Sequence, residues 1–319
     1  MLAVQTIGAP ASKRAGLATY AWTVLGINVL VVLWGAFVRA SGSGAGCGSH
    51  WPLCNGTVVP HSPTTQTIIE FVHRLSSGVA LLSVLGLVAW SFRASPRRHP
   101  VRWTALGSLF FIFTEAALGA GLVLFDYVAS NASGARAVFL SGHLVNTLLL
   151  LATISLTGWL AEGGALPVRR FDALGWMFVA ALVGTLVLGI SGAVAALGDT
   201  LFPASSVAAG IKQDISGASN VLLRLRVVHP FLAIAVGICI IVVALMAASR
   251  TSSALTRHLS SAVIILVVVQ GGAGLLNLTL LAPVWMQIVH LLLADLLWIA
   301  LVLLMLAALA RAPLPEVLP

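Results

Sequence analysis

Eight apolar stretches, each long enough to cross a lipid bilayer, constrain this chain more than any other feature of its sequence. Crossing about 30 Å of hydrocarbon takes about 20 apolar residues in a helix. The stretches cover residues 20–39, 67–92, 103–125, 137–160, 172–196, 222–248, 259–281 and 284–309. Lipid offers no hydrogen-bond partners to the backbone, so runs of this length must be helices. The sequence therefore predicts an all-α integral membrane protein with eight transmembrane helices.

Composition agrees with a lipid environment and argues against nucleic acid as a partner. Of the 319 residues, 59% are hydrophobic and 8% are charged, whereas soluble domains carry roughly 25% charged residues. The net charge is +8, but the basic residues lie in the short loops between apolar stretches. That distribution indicates membrane orientation rather than an electrostatic surface for nucleic acid.

The loop charges predict which way the helices run. With the N-terminus in the cytoplasm, the outer loops contain only Arg136 and Lys212 as their chief basic residues. The inner segments then contain most of the other basic residues: Lys13, Arg14, Arg93, Arg97, Arg98, Arg102, Arg169, Arg170, Arg250, Arg257 and Arg311. The positive-inside rule therefore predicts a multi-pass protein of the inner (plasma) membrane with both termini cytoplasmic. The first stretch has no signal-peptide cleavage site and is expected to be retained.

The two halves of the chain resemble each other. The segment Glu115-Ala-Ala-Leu-Gly119 in the third stretch lies 155 residues before Gln270-Gly-Gly-Ala-Gly274 in the seventh. We therefore predict two tandem, pseudo-symmetric four-helix bundles, residues 1–161 and 162–319, which enter the membrane in the same direction. Transporters also contain such repeats, so the repeat alone does not choose a function.

Four of the eight histidines lie inside apolar stretches, at His73, His143, His229 and His290. Each is on an even-numbered stretch, six or seven residues from its outer boundary, which is roughly 10 Å deep in a helix. Ionisable side chains are costly in a bilayer and usually functional, although a single one could be a hydrogen-bonded core residue. Zinc would normally recruit cysteine or carboxylate at closer spacing. Imidazole pairs on facing helices suit the two axial positions of haem iron, so we predict two bis-histidine haem sites, one in each half.

Small and basic residues accompany this histidine layer. The third, fifth and seventh stretches contain several glycines: Gly119, Gly121, Gly184, Gly189, Gly192, Gly271, Gly272 and Gly274. They allow close helix packing and could equally leave room for a flat macrocycle. Arg74, Arg224 and Arg226 lie near the outer ends of the second and sixth stretches and are candidate partners of haem propionates. Their alternative role is interfacial snorkelling.

The first outer loop, residues 41–66, contains two cysteines with six residues between them, Cys47 and Cys54. In an oxidising compartment this pair predicts a disulfide, worth roughly 2–3 kcal/mol by the chain-entropy estimate. A local metal site that also uses His50 or His61 is the alternative. Cys239 lies within the sixth stretch and is expected to be an inert core residue.

One motif resembles a known family. The segment Glu70-Phe-Val-His73-Arg74, which follows the loop Gly46-Cys47-Gly-Ser-His-Trp-Pro-Leu-Cys54-Asn-Gly56, closely resembles the haem A synthase family, and the resemblance covers nearly the whole chain. Members of that family oxidise the C8 methyl group of haem O to the formyl group of haem A, for cytochrome oxidase. The chain departs from the family at Glu115, where glutamine is common.

The resemblance implies how the sites are shared between the halves. It implies that the substrate haem O lies between His73 and His143, beside Glu70, and that a haem b cofactor lies between His229 and His290. It also implies an electron acceptor, and as possible partners haem O synthase, cytochrome oxidase assembly factors and a second copy of the chain.

Glu70 is informative without the family. It lies one helical turn before His73 on the same face, so a catalytic role is expected, in which the carboxylate stabilises a cationic intermediate or takes a proton. Its alternative is a helix-terminal charge favoured by the dipole.

Two other functions remain open from the sequence. A di-haem electron carrier should hold one haem near each membrane face, which the single histidine layer disfavours. A haem transporter would not explain the cysteine loop or Glu70.

Cysteine labelling tests the predicted orientation. A membrane-impermeant maleimide should label cysteines introduced into the loops 41–66 and 126–136 from outside intact cells, because those loops are expected outside. The variant Arg97→Cys should react only after the cells are permeabilised. Labelling of position 97 in intact cells would contradict the orientation.

Overall fold

The computed structural model describes residues 11–167, 172–216 and 221–310, and within these ranges the fold is all-helical. The helices are α1 (Ala11–Ala40), α2 (Thr65–Ala94), α3 (Pro100–Leu124), α4 (Gly134–Ala161), α5 (Ala173–Leu201), α6 (Val207–Ile215), α7 (Val221–Arg226), α8 (Val228–Ser249), α9 (Ala254–Thr279) and α10 (Val284–Leu309). They supply eight spans long and apolar enough to cross a membrane, with α7 and α8 sharing the sixth. This confirms the predicted all-α membrane fold with eight spans.

Polar caps set where several spans begin. Thr64 accepts a hydrogen bond from the backbone N–H of Thr67 at the start of α2, and Ser133 accepts one from the N–H of Arg136 at the start of α4. Such side chains satisfy amides that have no partner within the helix. The helices therefore begin two or three residues before the apolar stretches did.

The second half departs from the predicted pattern in its outer segment. Helix α5 continues to Leu201 rather than ending at residue 196, and the short helix α6 follows, capped by Ser206. The sixth span is interrupted at Val227. Pro230 has no backbone N–H to donate to the carbonyl of Arg226, so the ladder cannot run unbroken through this point.

Some of the basic residues behind the predicted orientation lie outside the described residues. These are Arg169, Arg170 and Arg311, and the side chains of Lys13 and Arg14 are likewise not described. The exposed residues Arg93, Arg97 and Arg98 do cluster at the link between α2 and α3. The orientation itself stays a prediction.

Helices pack mainly on their neighbours in the chain. Helix α1 contacts α2 and α4, and α3 contacts α2 and α4, while α5, α8, α9 and α10 make a second ring of the same kind. The first ring lies within residues 1–161 and the second within 162–319. The rings meet where α4 contacts α5 and α10, and where α1 contacts α10. At this junction the buried indole of Trp298 donates to the backbone carbonyl of Leu148, 2.6 Å away.

Candidate functional site

The four intramembrane histidines lie at similar depth on α2, α4, α8 and α10. They follow the starts of their spans, Thr65, Gly134, Leu222 and Val284, by eight, nine, seven and six residues. At 1.5 Å per residue, these positions differ in depth by about 5 Å. The rings of His73, His143 and His290 are at least partly buried, and all four lie within the spans.

The histidines form two close pairs. His73 and His143 are near enough to influence each other electrostatically, and so are His229 and His290. Each pair lies within one helix ring. The structure thus brings together the same two pairs that the sequence grouped.

A glycine on the preceding long helix faces each imidazole. The pairs, with the distance from a methyl group added at the glycine to the histidine Cε1, are Gly35–His73 at 2.9 Å, Gly119–His143 at 3.9 Å, Gly192–His229 at 3.1 Å and Gly274–His290 at 3.1 Å. In three of the four, a side chain at the glycine would displace the ring. Sequence reasoning missed Gly35, although it precedes Gly192 by 157 residues, close to the repeat spacing of the histidines.

A polar side chain also lies beside three of the four imidazole rings. Glu115 on α3 has Oε1 3.3 Å from Nδ1 of His143, and Gln270 on α9 has its amide nitrogen 3.4 Å from Nε2 of His290. Ser191 on α5 has its hydroxyl 2.9 Å from Nδ1 of His229. The equivalent positions of the repeated segment therefore contact the histidine of the next span in both halves.

Glu115 is held in place by two further donors. The side-chain amide of Asn146 donates to Oε2 at 2.6 Å, and the hydroxyl of Thr147 donates to Oε1. A carboxylate in this position fixes the orientation of an imidazole and increases its basicity as a ligand.

The arrangement fits haem better than a bare metal ion. Within the described ranges, no group of three or more histidine, cysteine, aspartate or glutamate side chains could hold an ion. Haem needs only axial ligands from the protein, since its macrocycle supplies the rest. Three buried ring nitrogens have no hydrogen bond among the described residues, Nδ1 of His73, His143 and His290, although Nδ1 of His143 is 3.3 Å from Oε1 of Glu115.

The outer loop is closed by a disulfide between Cys47 and Cys54, which confirms that prediction. Both cysteines are buried, and their bond excludes a metal site that uses these thiolates. The loop lies directly on α2, because a methyl group added at Gly46 would overlap the backbone oxygen of Gln66. Only glycine allows this approach. The free Cys239 is partly buried in α8.

Glu70 and Arg74 anchor this loop. Glu70 is 3% exposed and accepts the backbone N–H of Cys47 at 2.8 Å and the guanidinium of Arg74 at 2.5 and 3.1 Å. Arg74 in turn donates to the carbonyls of His50 and Leu53. The predicted catalytic role of Glu70 stays a prediction, whereas its positional role is visible. Arg74 therefore uses its hydrogen bonds for Glu70 and the loop.

The other predicted arginines lie on α7. Arg226 pairs with Asp199 of α5 at 2.8 Å and with Asp214 of α6 at 2.5 Å, so it joins three helices of the second half. Arg224 is exposed. Their predicted role toward propionates stays a prediction.

Sequence reasoning missed three buried or partly buried charges. Arg39 near the end of α1 reaches α5 and α10, and Arg136 in the first turn of α4 is 4% exposed. Asp295 on α10 is fully buried, and neither carboxyl oxygen has a partner among the described residues. Each would stand out in the sequence only as a charge inside or beside an apolar stretch.

Comparison with known proteins identifies a family that matches most of this chain. The family model described as cytochrome oxidase assembly protein (COX15-CtaA) matches residues 18–302. A protein of Thermus thermophilus named "Protoheme IX farnesyltransferase" is 49% identical over 303 residues, covering 95% of this chain and 50% of that protein.

Shorter matches have a different name. A "Heme A synthase" of Shouchella clausii is 35% identical over 159 residues, covering 50% of this chain and 48% of that protein. A "Heme A synthase" of Geobacillus kaustophilus is 38% identical over 125 residues, covering 38% of this chain and 39% of that protein. The chain spans about half the length of the curated relatives it matches.

The anchoring of the loop can be tested through its disulfide. Glu70→Gln keeps an oxygen for the N–H of Cys47 but removes the ion pair with Arg74. Hydrogen bonds to charged groups contribute about 1.5–3 kcal/mol, so we expect a thiol reductant to open the disulfide about 10-fold faster or more, measured by timed alkylation and mass spectrometry. Glu162→Gln is the matched control, because Glu162 also accepts a side-chain hydrogen bond, from Trp22, but at the far end of α4. Equal rates in the wild type and Glu70→Gln would show that Glu70 does not anchor the loop.

Proposed function

Since the chain belongs to the family of cytochrome oxidase assembly proteins, we propose that it is a haem A synthase, an oxidoreductase that converts the C8 methyl group of haem O to the formyl group of haem A. The observation that carries this proposal is the arrangement of the four histidines in two pairs. A glycine faces each imidazole ring, and the four histidines lie at similar depth in their spans. Relatives named "Heme A synthase" support the same assignment.

We assign different tasks to the two halves. Residues 1–161 hold haem O between His73 and His143, and residues 162–319 hold haem b between His229 and His290. The asymmetry of the outer segments supports this division. The disulfide loop, which is anchored on α2 through Glu70, belongs to the first half, whereas an ion-paired helix, α6, follows α5 in the second half.

The residues around the first pair would position and polarise the substrate. Bound haem supplies the redox chemistry of its iron. Glu115 fixes the ring of His143, and the anchored loop shields the outer side of the site from water. The charge of Glu70 lowers the free energy of positive charge that develops at the oxidised carbon, because a fixed anion acts strongly in a low-dielectric site. With water as the oxygen source, converting the methyl group to the formyl group adds one oxygen atom and releases four electrons and four protons, so an electron acceptor outside this chain is required.

The proposed setting follows from the loop charges. Both termini face the cytoplasm, and the histidine layer lies toward the outer face of the plasma membrane. Haem O synthase as the source of substrate, cytochrome oxidase assembly factors as recipients, and a second copy of the chain are the partners that this function calls for.

Prenyl transfer to haem is the second candidate, because the Thermus relative is named for it. That name describes a protein of which this chain covers half. Transferases that use a prenyl diphosphate hold its phosphates through carboxylate-bound Mg²⁺. In the part of the chain that the structure describes, no group of three or more acidic, thiol or imidazole side chains could hold a metal ion. The histidine pairs on neighbouring helices suit a haem iron and favour oxidation. A di-haem carrier or haem transporter would need Glu70 only to anchor the loop, with no chemical role for its carboxylate.

Haem analysis of membranes tests the proposal. The chain is co-expressed with a source of haem O, and extracted haems are separated by chromatography. Haem A should appear with the wild-type chain and be absent with His73→Ala. Conversion of protohaem and farnesyl diphosphate to haem O, with no haem A, would instead identify a prenyltransferase.

The division between halves predicts two kinds of histidine variant. His229→Ala or His290→Ala should lower the low-spin haem b absorbance of the purified protein, because each removes an axial ligand of the cofactor. His73→Ala or His143→Ala should abolish haem A formation while most haem b is retained. Equal loss of haem b from all four variants would contradict specialised halves.

Glu70 is predicted to act chemically as well as structurally. Glu70→Gln should bind haem but form haem A about 100- to 1,000-fold more slowly, by analogy with other fixed transition-state charges, and accumulate haem O or a hydroxylated product. The double variant Cys47→Ser/Cys54→Ser loosens the same loop and keeps the carboxylate, so it is the matched control. Comparable loss in both variants would assign the effect to the loop rather than to the charge.

A further inference from the structure

Two arginines at the outer boundary of the first helix ring have no acidic partner. Arg136 is 4% exposed, and Arg39 is partly buried. Across the described ranges, the salt bridges of arginine involve Arg74, Arg226 and Arg250; no carboxylate pairs with Arg39 or Arg136. A cation withdrawn from water without an anion is costly, so this arrangement calls for a negatively charged ligand.

The hydrogen bonds of Arg39 leave one edge of its guanidinium available. Nη1 donates to the carbonyl of Ala196 and the hydroxyl of Thr200, both at 2.9 Å. Nη2 donates once, to Oε1 of Gln287 at 2.9 Å. Arginine has five N–H donors, so Nε–H and one Nη2–H remain. The Nε–Nη2 edge, which can bind a carboxylate bidentately, therefore keeps its Nε–H available.

Arg136 shows the same pattern. Its Nη1 donates to the carbonyls of Ala129 and Asn131, at 2.7 and 2.8 Å. Its Nε is buried and has no partner among the described residues. Every acceptor it uses is neutral, and its Nε–Nη2 edge stays available.

Both arginines lie outward of the histidine layer, Arg136 on α4 outward of His143 and Arg39 where the first helix ring meets α5 and α10. Arg39 follows Gly35, which faces the ring of His73, by four residues on α1. Arg136 precedes His143 by seven residues on α4, two turns toward the outer end and on the same face. Seven residues correspond to roughly 10 Å along a helix. This is about the distance at which the acid tails of a porphyrin lie from an iron held by the histidines.

The two guanidiniums also act on each other. Arg39 experiences the repulsion of Arg136. Asp199 attracts Arg39 more strongly than Arg136 repels it, but that carboxylate is shared with Arg226. A further anion beside Arg39 and Arg136 would therefore still reduce the repulsion between them.

We propose that Arg39 and Arg136 bind the propionate carboxylates of the haem held between His73 and His143. This rests on the proposed function and specifies how its substrate is oriented. Of the three earlier candidates, Arg74 and Arg226 already have carboxylate partners within the protein, and Arg224 is exposed. Arg39 also donates hydrogen bonds to α5 and α10. The propionates of the substrate would therefore be bound where the two helix rings meet.

Ferric protohaem and its dimethyl ester provide a direct test. The two share iron and macrocycle, but the ester has no charged tails. The full-length chain carrying His290→Ala is depleted of haem, and each ligand is titrated by its absorbance, so that binding reports the first pair. The protein should bind protohaem more tightly than the ester. Arg39→Gln or Arg136→Gln should lower that preference by about 10- to 100-fold, the effect of a charged hydrogen bond.

Two controls separate charge from folding. Arg102→Gln removes an arginine that likewise donates to backbone carbonyls, those of Phe92 and Ser95, but lies in the first turn of α3, at the opposite end of the spans. It should keep the wild-type preference. Arg136→Lys retains the charge and should recover part of the preference, even if the Gln variant is less stable.

The outcomes are distinct for the two proposals. An unchanged preference in the Arg39 and Arg136 variants overturns the inference and leaves these arginines bonded to water and neutral acceptors. If His73→Ala and His143→Ala bind protohaem as tightly as the parent chain, the proposed function itself fails, whatever the arginines do.

Discussion

Hydrocarbon offers no hydrogen-bond partner, and the fold is arranged around that constraint. Backbone groups are satisfied within helices, and most buried polar side chains bond locally, as Asn28 does to the carbonyl of Val24 one turn earlier. The exceptions are therefore informative. Among the described residues they include Nδ1 of His73, Nδ1 of His290, Nε of Arg136 and both carboxyl oxygens of Asp295. Other such atoms lie at the opposite end of the spans, namely Nε of Arg102 and the hydroxyls of Ser91 and Ser260, so they are not confined to the histidine layer. Asp295 is within electrostatic reach of Glu115.

The two helix rings have the same arrangement of helices but differ in the charge of the side chain beside a histidine. A glycine faces every histidine, and the repeated segment places Glu115 beside His143 but the neutral Gln270 beside His290. A carboxylate donates electron density to a ligating imidazole more strongly than an amide does. One architecture can thus give two iron environments with different affinities for electrons, as a substrate site and a cofactor site require.

The membrane spans could be predicted from the sequence, whereas contacts such as that between Arg39 and Gln287, which are far apart in the chain, could not. The spans, the histidine pairs and the disulfide follow from local composition and spacing. Helix ends were predicted less closely, because α1 begins at Ala11 rather than residue 20 and α5 ends at Leu201 rather than residue 196. The break at Val227 depends on a single proline three residues later, and α6 is too short and polar to show in hydropathy. Partners such as Arg39 and Gln287 lie 248 residues apart. Nothing in the sequence around either residue indicates the other, because the contact depends on how the two rings meet.

The anchored loop also fixes an order of events in biogenesis. Cys47 presents its N–H to Glu70, one turn from His73, in a loop closed by a disulfide. Such a bond forms in an oxidising compartment, and α2 must already be inserted before Glu70 can receive the loop. In the proposed orientation, with this loop outside, the loop therefore closes onto the start of α2 only after translocation. A newly made chain has all four histidines but lacks the closed loop, so under the proposed function substrate capture would follow maturation in the membrane.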